Sequence, residues 1–230
     1  MISEIAPWIT IVFFIAFLGT LASFYMANGR PKKVLGCIAL WSIVQSILAY
    51  RGFYLDTESF PPRFAFVLVP TILCIGFGLL SRQRAWIYQY RDIRFSTFLH
   101  TVRFPVELVL LQLFLAGMVP ELMTFEGRNF DIIMGLTAPI IVFLLVKDKI
   151  SKMGLLIWNV IGFVFIMTIL FYGVLSSDLP FQQFGFDQPN RAVLYFPFVL
   201  LPAVIVPIVI WTHLSDILKL WSDMKREKIT

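Results

Sequence analysis

The residues best suited to chemistry in this chain are a few polar side chains set inside apolar runs. Glu107 stands in LHTVRFPVELVLLQLF, with His100 and Arg103 ahead of it at a spacing of i, i+3, i+7. That spacing puts all three on one helical face if the helix continues through Pro105. Another apolar run ends in WTHLSD, where His213 and Asp216 are also i, i+3, and Asn159 follows Trp158 near the start of a third run. Ionisable groups inside a membrane helix are costly to bury and therefore mark candidate functional sites.

Three chemistries suit this set. Glu107 suits a proton or cation site, with Arg103 or His213 as its partner and Asn159 as a neutral ligand. His100 and His213, the two histidines of the chain, suit the axial ligands of a haem. His100, Glu107, His213 and Asp216 together make a mixed nitrogen and oxygen set for a metal, although no HExxH, CxxC or paired ExxH spacing accompanies them and no metal centre is expected. The plain alternative starts a helix at Pro105, with Glu107 in its first turn, Arg103 as an anchor and His213 and Asp216 at the rim.

The elements that hold these residues are helices in lipid. The chain of 230 residues is 59% hydrophobic and 14% charged, with a mean hydropathy of +0.83; a soluble domain carries about 25% charged residues. Apolar runs at about 7–28, 33–50, 62–81, 103–120, 130–147, 152–175 and 192–214 read as seven spans of an all-α bundle, one membrane domain over residues 1–230. The start, MISEIAPW, has no positive charge before the first run, so that run is expected to stay as a span. Cys37 and Cys74 fall inside apolar runs, which argues against a disulfide framework or a cysteine-based metal site.

Charge orients the bundle. Arg30, Lys32 and Lys33, then Arg82, Arg84, Arg91, Arg94 and Arg103, then Lys147, Lys149 and Lys152, then Lys219, Lys225, Arg226 and Lys228 lie in connections on one side, leaving Arg51, Arg63, Arg128 and Arg191 for the other. Glu4, Asp56, Glu58, Glu121, Glu126, Asp131, Asp178 and Asp187 fall on that second side. Lysine and arginine in short loops mark the cytoplasmic face, so the N-terminus is expected outside and the C-terminus in the cytoplasm. The cell membrane (the inner one in a bacterium) is the expected location. The basic rim suits anionic lipid rather than nucleic acid. Segment 82–99, with arginines among Trp86, Tyr88, Tyr90, Phe95 and Phe98, reads as an amphipathic helix lying in the cytoplasmic interface.

The last run carries Pro197, Pro202 and Pro207 at intervals of five, candidate kinks or hinges. Seven spans in this orientation invite comparison with microbial rhodopsins, but residues 201–210 contain no lysine for a retinal Schiff base. SWEET-type sugar transporters share the span count, yet their paired proline and glutamine signature and their internal repeat are absent. The expected function is a transporter or channel component for a proton, ion or small solute. A haem-, lipid- or partner-binding membrane or sensory subunit is the alternative. A lipid-modifying enzyme using His100 or His213 as a base is a further one. So little mass outside the bilayer also suits one subunit of a larger complex.

Overall fold

A computed structural model describes residues 5–227, and the side chains of residues 81–83 are set aside. Glu4 and Lys228, which entered the charge pattern, lie outside the described residues, as does the side chain of Arg82. Among the described residues the protein is all-helical, with no strands. Its order is α1 (Pro7–Ala27), α2 (Lys32–Tyr50), α3 (Ala65–Gly78), α4 (Ser81–Tyr90), α5 (Ile93–Leu99), α6 (Arg103–Leu115), α7 (Asp131–Val146), α8 (Lys152–Leu175) and α9 (Val206–Glu227), with short 3-10 turns between several of them.

Among the described residues, five helical stretches are long and apolar enough to cross a membrane: α1, α2, Ile93–Leu115, α8 and Leu201–Glu227. Helices α3 and α7 are apolar but shorter, at 14 and 16 residues; at 1.5 Å per residue they reach about 21 and 24 Å, short of a hydrocarbon core of about 30 Å. Outward-facing Ile11, Leu40, Leu73, Ile140 and Val164 give the bundle an apolar exterior, a surface that water would not tolerate and that is compatible with insertion into a membrane. The Leu201–Glu227 stretch has 67% of its apolar window buried against 17% for α2, so α9 is the hub and α2 a peripheral helix.

Several boundaries differ from the reading of the sequence; the last run, read as 192–214, is helical over Leu201–Glu227, and the fourth ends at Leu115 rather than 120. Segment 82–99 is not one interfacial helix: it breaks at Arg91 and Asp92, where the Asp92 amide donates to Ala27 O at 2.8 Å and its carboxylate caps α5 by accepting from the Arg94 amide. The helix that carries His100, Arg103 and Glu107 therefore begins at Ile93, ten residues before 103, and runs through Pro105. The ring and missing N–H of Pro105 are accommodated by a 3-10 turn at His100–Val102. Glu107 is thus an interior residue of a continuous helix, not part of a helix start.

The connectors 116–130 and 176–199 fold into the bundle end. Thr124, Asn129, Ser176, Ser177 and Asn190 are buried, and a buried connector must find partners for its backbone. Gln188 Nε2 donates to Phe114 O and Val119 O at 2.8 and 2.6 Å, and the Arg191 and Ala192 amides both donate to Met118 O. These bonds close the C-terminal end of α6 with the other connector.

The three prolines enter this architecture differently. Pro197 precedes the last helix, after a 3-10 turn at Ala192–Leu194, and Pro202 sits in a π-helical turn at Leu201–Ile205. Pro207 cannot donate to Ala203 O one turn back, and Trp41 Nε1 of α2 donates to that carbonyl instead, at 3.1 Å. The widened turn and a neighbouring indole together absorb the lost bond.

Candidate functional site

Two buried arginine and carboxylate pairs lie along the inner face of α9. In the first, Arg91 Nε donates to Asp216 Oδ1 at 2.7 Å, Nη1 to Asn28 Oδ1 at 2.8 Å and Nη2 to Thr212 O at 3.0 Å. The Ser96 hydroxyl donates to the other Asp216 oxygen at 2.7 Å. Every polar atom of the pair is occupied, and both side chains are essentially sealed from the exterior. Asp216 is committed here and is not a rim residue. Neither is His213, which is fully buried.

The second pair belongs to Arg103. Its guanidinium grips Asp131 with two prongs, Nε to Oδ2 at 3.0 Å and Nη2 to Oδ1. Nη1 approaches His213 Nε2 at 3.0 Å. His213 Nδ1 meets Asn159 Oδ1 at 3.0 Å, and Asn159 Nδ2 donates to Leu155 O. A guanidinium only donates, so His213 accepts at Nε2 and donates at Nδ1, which is the neutral tautomer.

Charge patterning placed Arg103 and Asp131 on opposite sides of the membrane; the structure makes them partners. Arg103 lies near the middle of Ile93–Leu115, and α7 is short enough that its first residue starts within the bundle rather than at its rim. Asp131 does not cap α7: Phe130 occupies that position without a side-chain cap, and the Asp131 carboxylate turns to Arg103. Glycine permits the approach. A Cβ on Gly135, one turn after Asp131, would lie 2.4 Å from Phe104 N, and one on Gly162 would lie 2.5 Å from His213 Cε1 and from Met134 Cε. Bare backbone at these two points lets α6, α7, α8 and α9 close around the site.

Glu107 joins through Asn129. Asn129 Nδ2 donates to Glu107 Oε1 at 2.6 Å and to Met123 O at 3.1 Å, and its Oδ1 accepts from the Asp131 amide at 3.1 Å. Glu107 Oε2 has no partner in the protein. Beside it lies a cavity of about 70 Å³, lined by Arg103, Glu107, Asp131 and Asn190 among apolar residues that include Phe64, Val193 and Pro202. A single water needs about 10–15 Å³ of such free volume, so the cavity has room for several.

The histidine pair does not fit a haem. The His100 and His213 rings are stacked, with centroids 3.9 Å apart and planes 16° from parallel. Axial ligands instead point a ring nitrogen at the iron from either side of the macrocycle, and stacked rings leave it no space. His213 has in addition spent both nitrogens on Arg103 and Asn159. The mixed metal set fails likewise, because Asp216 is consumed by Arg91 and Ser96; among the described residues no group of three His, Cys, Asp or Glu is placed to hold a metal.

His100, Arg103, Asn159 and His213 are thus brought together, Glu107 adjoins them through Asn129 and Asp131, and Asp216 serves a separate pair on the same helix. Sequence reasoning missed Arg91, Asn129, Asn28 and Asn190. Arg91 was hidden among the arginines of an amphipathic run, and Asn129 lies in a short connection between two apolar runs. A second crevice, of about 590 Å³, opens elsewhere among Trp41, Trp86, Trp211, Cys37, Cys74 and Pro207, with the Trp211 indole N–H unpartnered.

No curated protein and no solved structure matches the chain. Residues 59–221, which hold every side chain of both networks except Asn28, match a family described as a domain of unknown function, DUF8737, and the chain belongs to that family.

Proposed function

We propose that this is a seven-span protein of the cell membrane, N-terminus outside and C-terminus cytoplasmic, that moves a proton or another small cation, with Glu107 as the carboxylate that carries it. In this reading the two shorter apolar helices, α3 and α7, cross together with the five longer ones, completed in depth by the connectors packed against them. Anionic lipids gather at the basic rim, and other subunits pack on the apolar exterior.

One observation carries the transport reading. Glu107 is 2% exposed, one of its oxygens has no partner, and its side chain lines a cavity of about 70 Å³. Asp131 and Asp216 each have an arginine in contact, whereas Glu107 has only the neutral Asn129 amide. A buried carboxylate without a counter-charge is costly, and a travelling cation supplies that charge.

The test is flux into vesicles containing the purified full chain. Glu107→Gln keeps the shape and the Asn129 contact but removes the charge; it is expected to abolish cation-dependent flux while the protein still elutes as a folded species in detergent. Flux equal to wild type would sink Glu107 as the carrier. For orientation, single cysteines at Lys149 and at Gln183 in a background lacking Cys37 and Cys74 should differ, with only the second labelled by an impermeant maleimide on intact cells.

A second reading, lipid binding without transport, draws on the crevice among Trp41, Trp86 and Trp211. Lipid retained through detergent exchange, detected by mass spectrometry and lost in a Cys74→Phe variant that narrows the crevice, would favour it; a lipid-free protein would remove it.

A further inference from the structure

Glu107 Oε2 is not the only acceptor without a donor beside the small cavity. Asn190 Oδ1 is unpartnered as well, and both side chains line the same 70 Å³ space and are 2% exposed. The orientation of Asn190 is set by its own amide nitrogen, which donates to Gly173 O at 3.0 Å. Gly173 lines the cavity too. An amide oxygen can only accept, and so can an ionised carboxylate. Two acceptors on one space are satisfied by something that brings hydrogens or by a cation.

The charges around the cavity narrow what that is. Arg103 faces Glu107 from its own helix and Asp131 faces it from α7, and these two neutralise each other through the two-pronged contact. Helices α3, α8 and α9 add no charged side chain to the lining. One negative charge therefore remains, on Glu107. An alkali cation would need several more oxygen ligands, and most of the wall is aliphatic or aromatic. A proton needs none: placed on Glu107 Oε2 it converts that acceptor into a donor, and one water then accepts from it and donates to Asn190 Oδ1.

We propose that this cavity is a water-filled relay chamber and that the transported cation is the proton, released from Glu107 into water held by Asn190. The inference rests on Glu107 being the transport carboxylate. In the step, the Oε2–H bond breaks, the adjacent cavity water takes that proton and passes one of its own to the next water at Asn190 Oδ1, and the carboxylate left behind takes its next proton from a water in the same chamber. No electrons move. Asn190 carries no proton itself; it positions the water, next to the connector whose Ser176 carbonyl accepts from the Asn190 amide at 2.8 Å.

The experiment uses the full chain in vesicles, with an internal pH dye and radiolabelled sodium read in parallel, and infrared difference spectra of the carboxylic acid C=O band. Asn190→Leu keeps the volume and removes the acceptor. It is expected to slow proton flux by about tenfold, the rate equivalent of one lost hydrogen bond, and to shift the C=O band that Glu107→Gln deletes. Gly173→Ala adds a Cβ 3.2 Å from Met123 Cε and 3.8 Å from Asn190 Nδ2; by narrowing the chamber it should give the same two effects if Asn190→Leu does not fold. Unchanged flux and an unchanged band in the folded variant overturn the relay. Sodium uptake that depends on Glu107 without proton flux overturns the proton as cargo but leaves the transport reading standing. Indifference of both fluxes to Glu107→Gln removes that reading as well.

Discussion

Arg103 and Asp131 are 28 positions apart and are joined by two prongs inside the bundle, an approach that depends on Gly135 having no side chain. The contact fixes the start of α7 against the middle of the helix that carries Glu107. It also leaves one guanidinium nitrogen for His213, so four helices share one polar knot.

Breaking that pair from one side strands a charge. Asp131→Asn leaves the Arg103 guanidinium buried without its carboxylate, and the expected loss is about 3–5 kcal/mol. Replacing both, as Arg103→Met with Asp131→Leu, removes the stranded charge and should recover most of it. Thermal unfolding in detergent reads both. A double variant no more stable than the single one would show that the pair is not acting as a unit.

The glycines sort by what a methyl group would meet. Gly135→Ala puts a Cβ on the backbone of Phe104, which cannot swing aside, so an overpacking loss of about 1–3 kcal/mol is expected. Nothing lies within 4 Å of a Cβ at Gly36 or Gly76. Alanine there should be neutral or should gain about 0.5–1 kcal/mol from the lower flexibility of the unfolded chain. Equal melting shifts at all three positions would refute the role given to Gly135.

Trp41 and Pro207 should be coupled. Trp41→Phe leaves Ala203 O without its donor, at a cost of about 1–3 kcal/mol. Pro207→Ala supplies the missing backbone N–H, so Trp41→Phe should cost less in that background. A double-mutant cycle measures the difference directly, and strict additivity would count against the bond as compensation for the proline.

Tyr54 reports on the connector between α2 and α3. Burial, partly offset by its hydrogen bond to Gln45, pushes its phenol from 10.0 up to about 12. The folded protein thus holds the neutral form more tightly than the unfolded chain does. That contribution is complete below about pH 10 and is lost as the pH rises from about 10 to about 12. Phenolate absorbance, compared between wild type and Tyr54→Phe, should show one tyrosine titrating late. Its ionisation in step with exposed tyrosines would contradict the buried hydrogen bond.

Much of the helix inventory was legible because it depends on local composition. Runs such as α1 and α8 are apolar for more than twenty residues, and a helix satisfies the backbone of such a run within the segment itself. Boundaries were less legible. The helix start at Ile93 was masked because residues 82–99 are amphipathic throughout, and only the contacts of Asp92 with Ala27 and of Arg91 with Asp216 show where the chain turns inward.

By itself, then, the sequence determined an all-helical apolar bundle and singled out His100, Arg103, Glu107, Asn159 and His213 as costly residues to bury. Only the tertiary structure decided who partners whom. Arg103 chose Asp131 over Glu107, Asp216 chose Arg91, and the histidines stacked rather than facing each other across a cofactor. The physical reason is that an ion pair forms where helices cross closely, and crossing is set by distant glycines and by connectors folded back into the bundle. Spacing along one helix shows which residues share a face; it does not show what packs against that face.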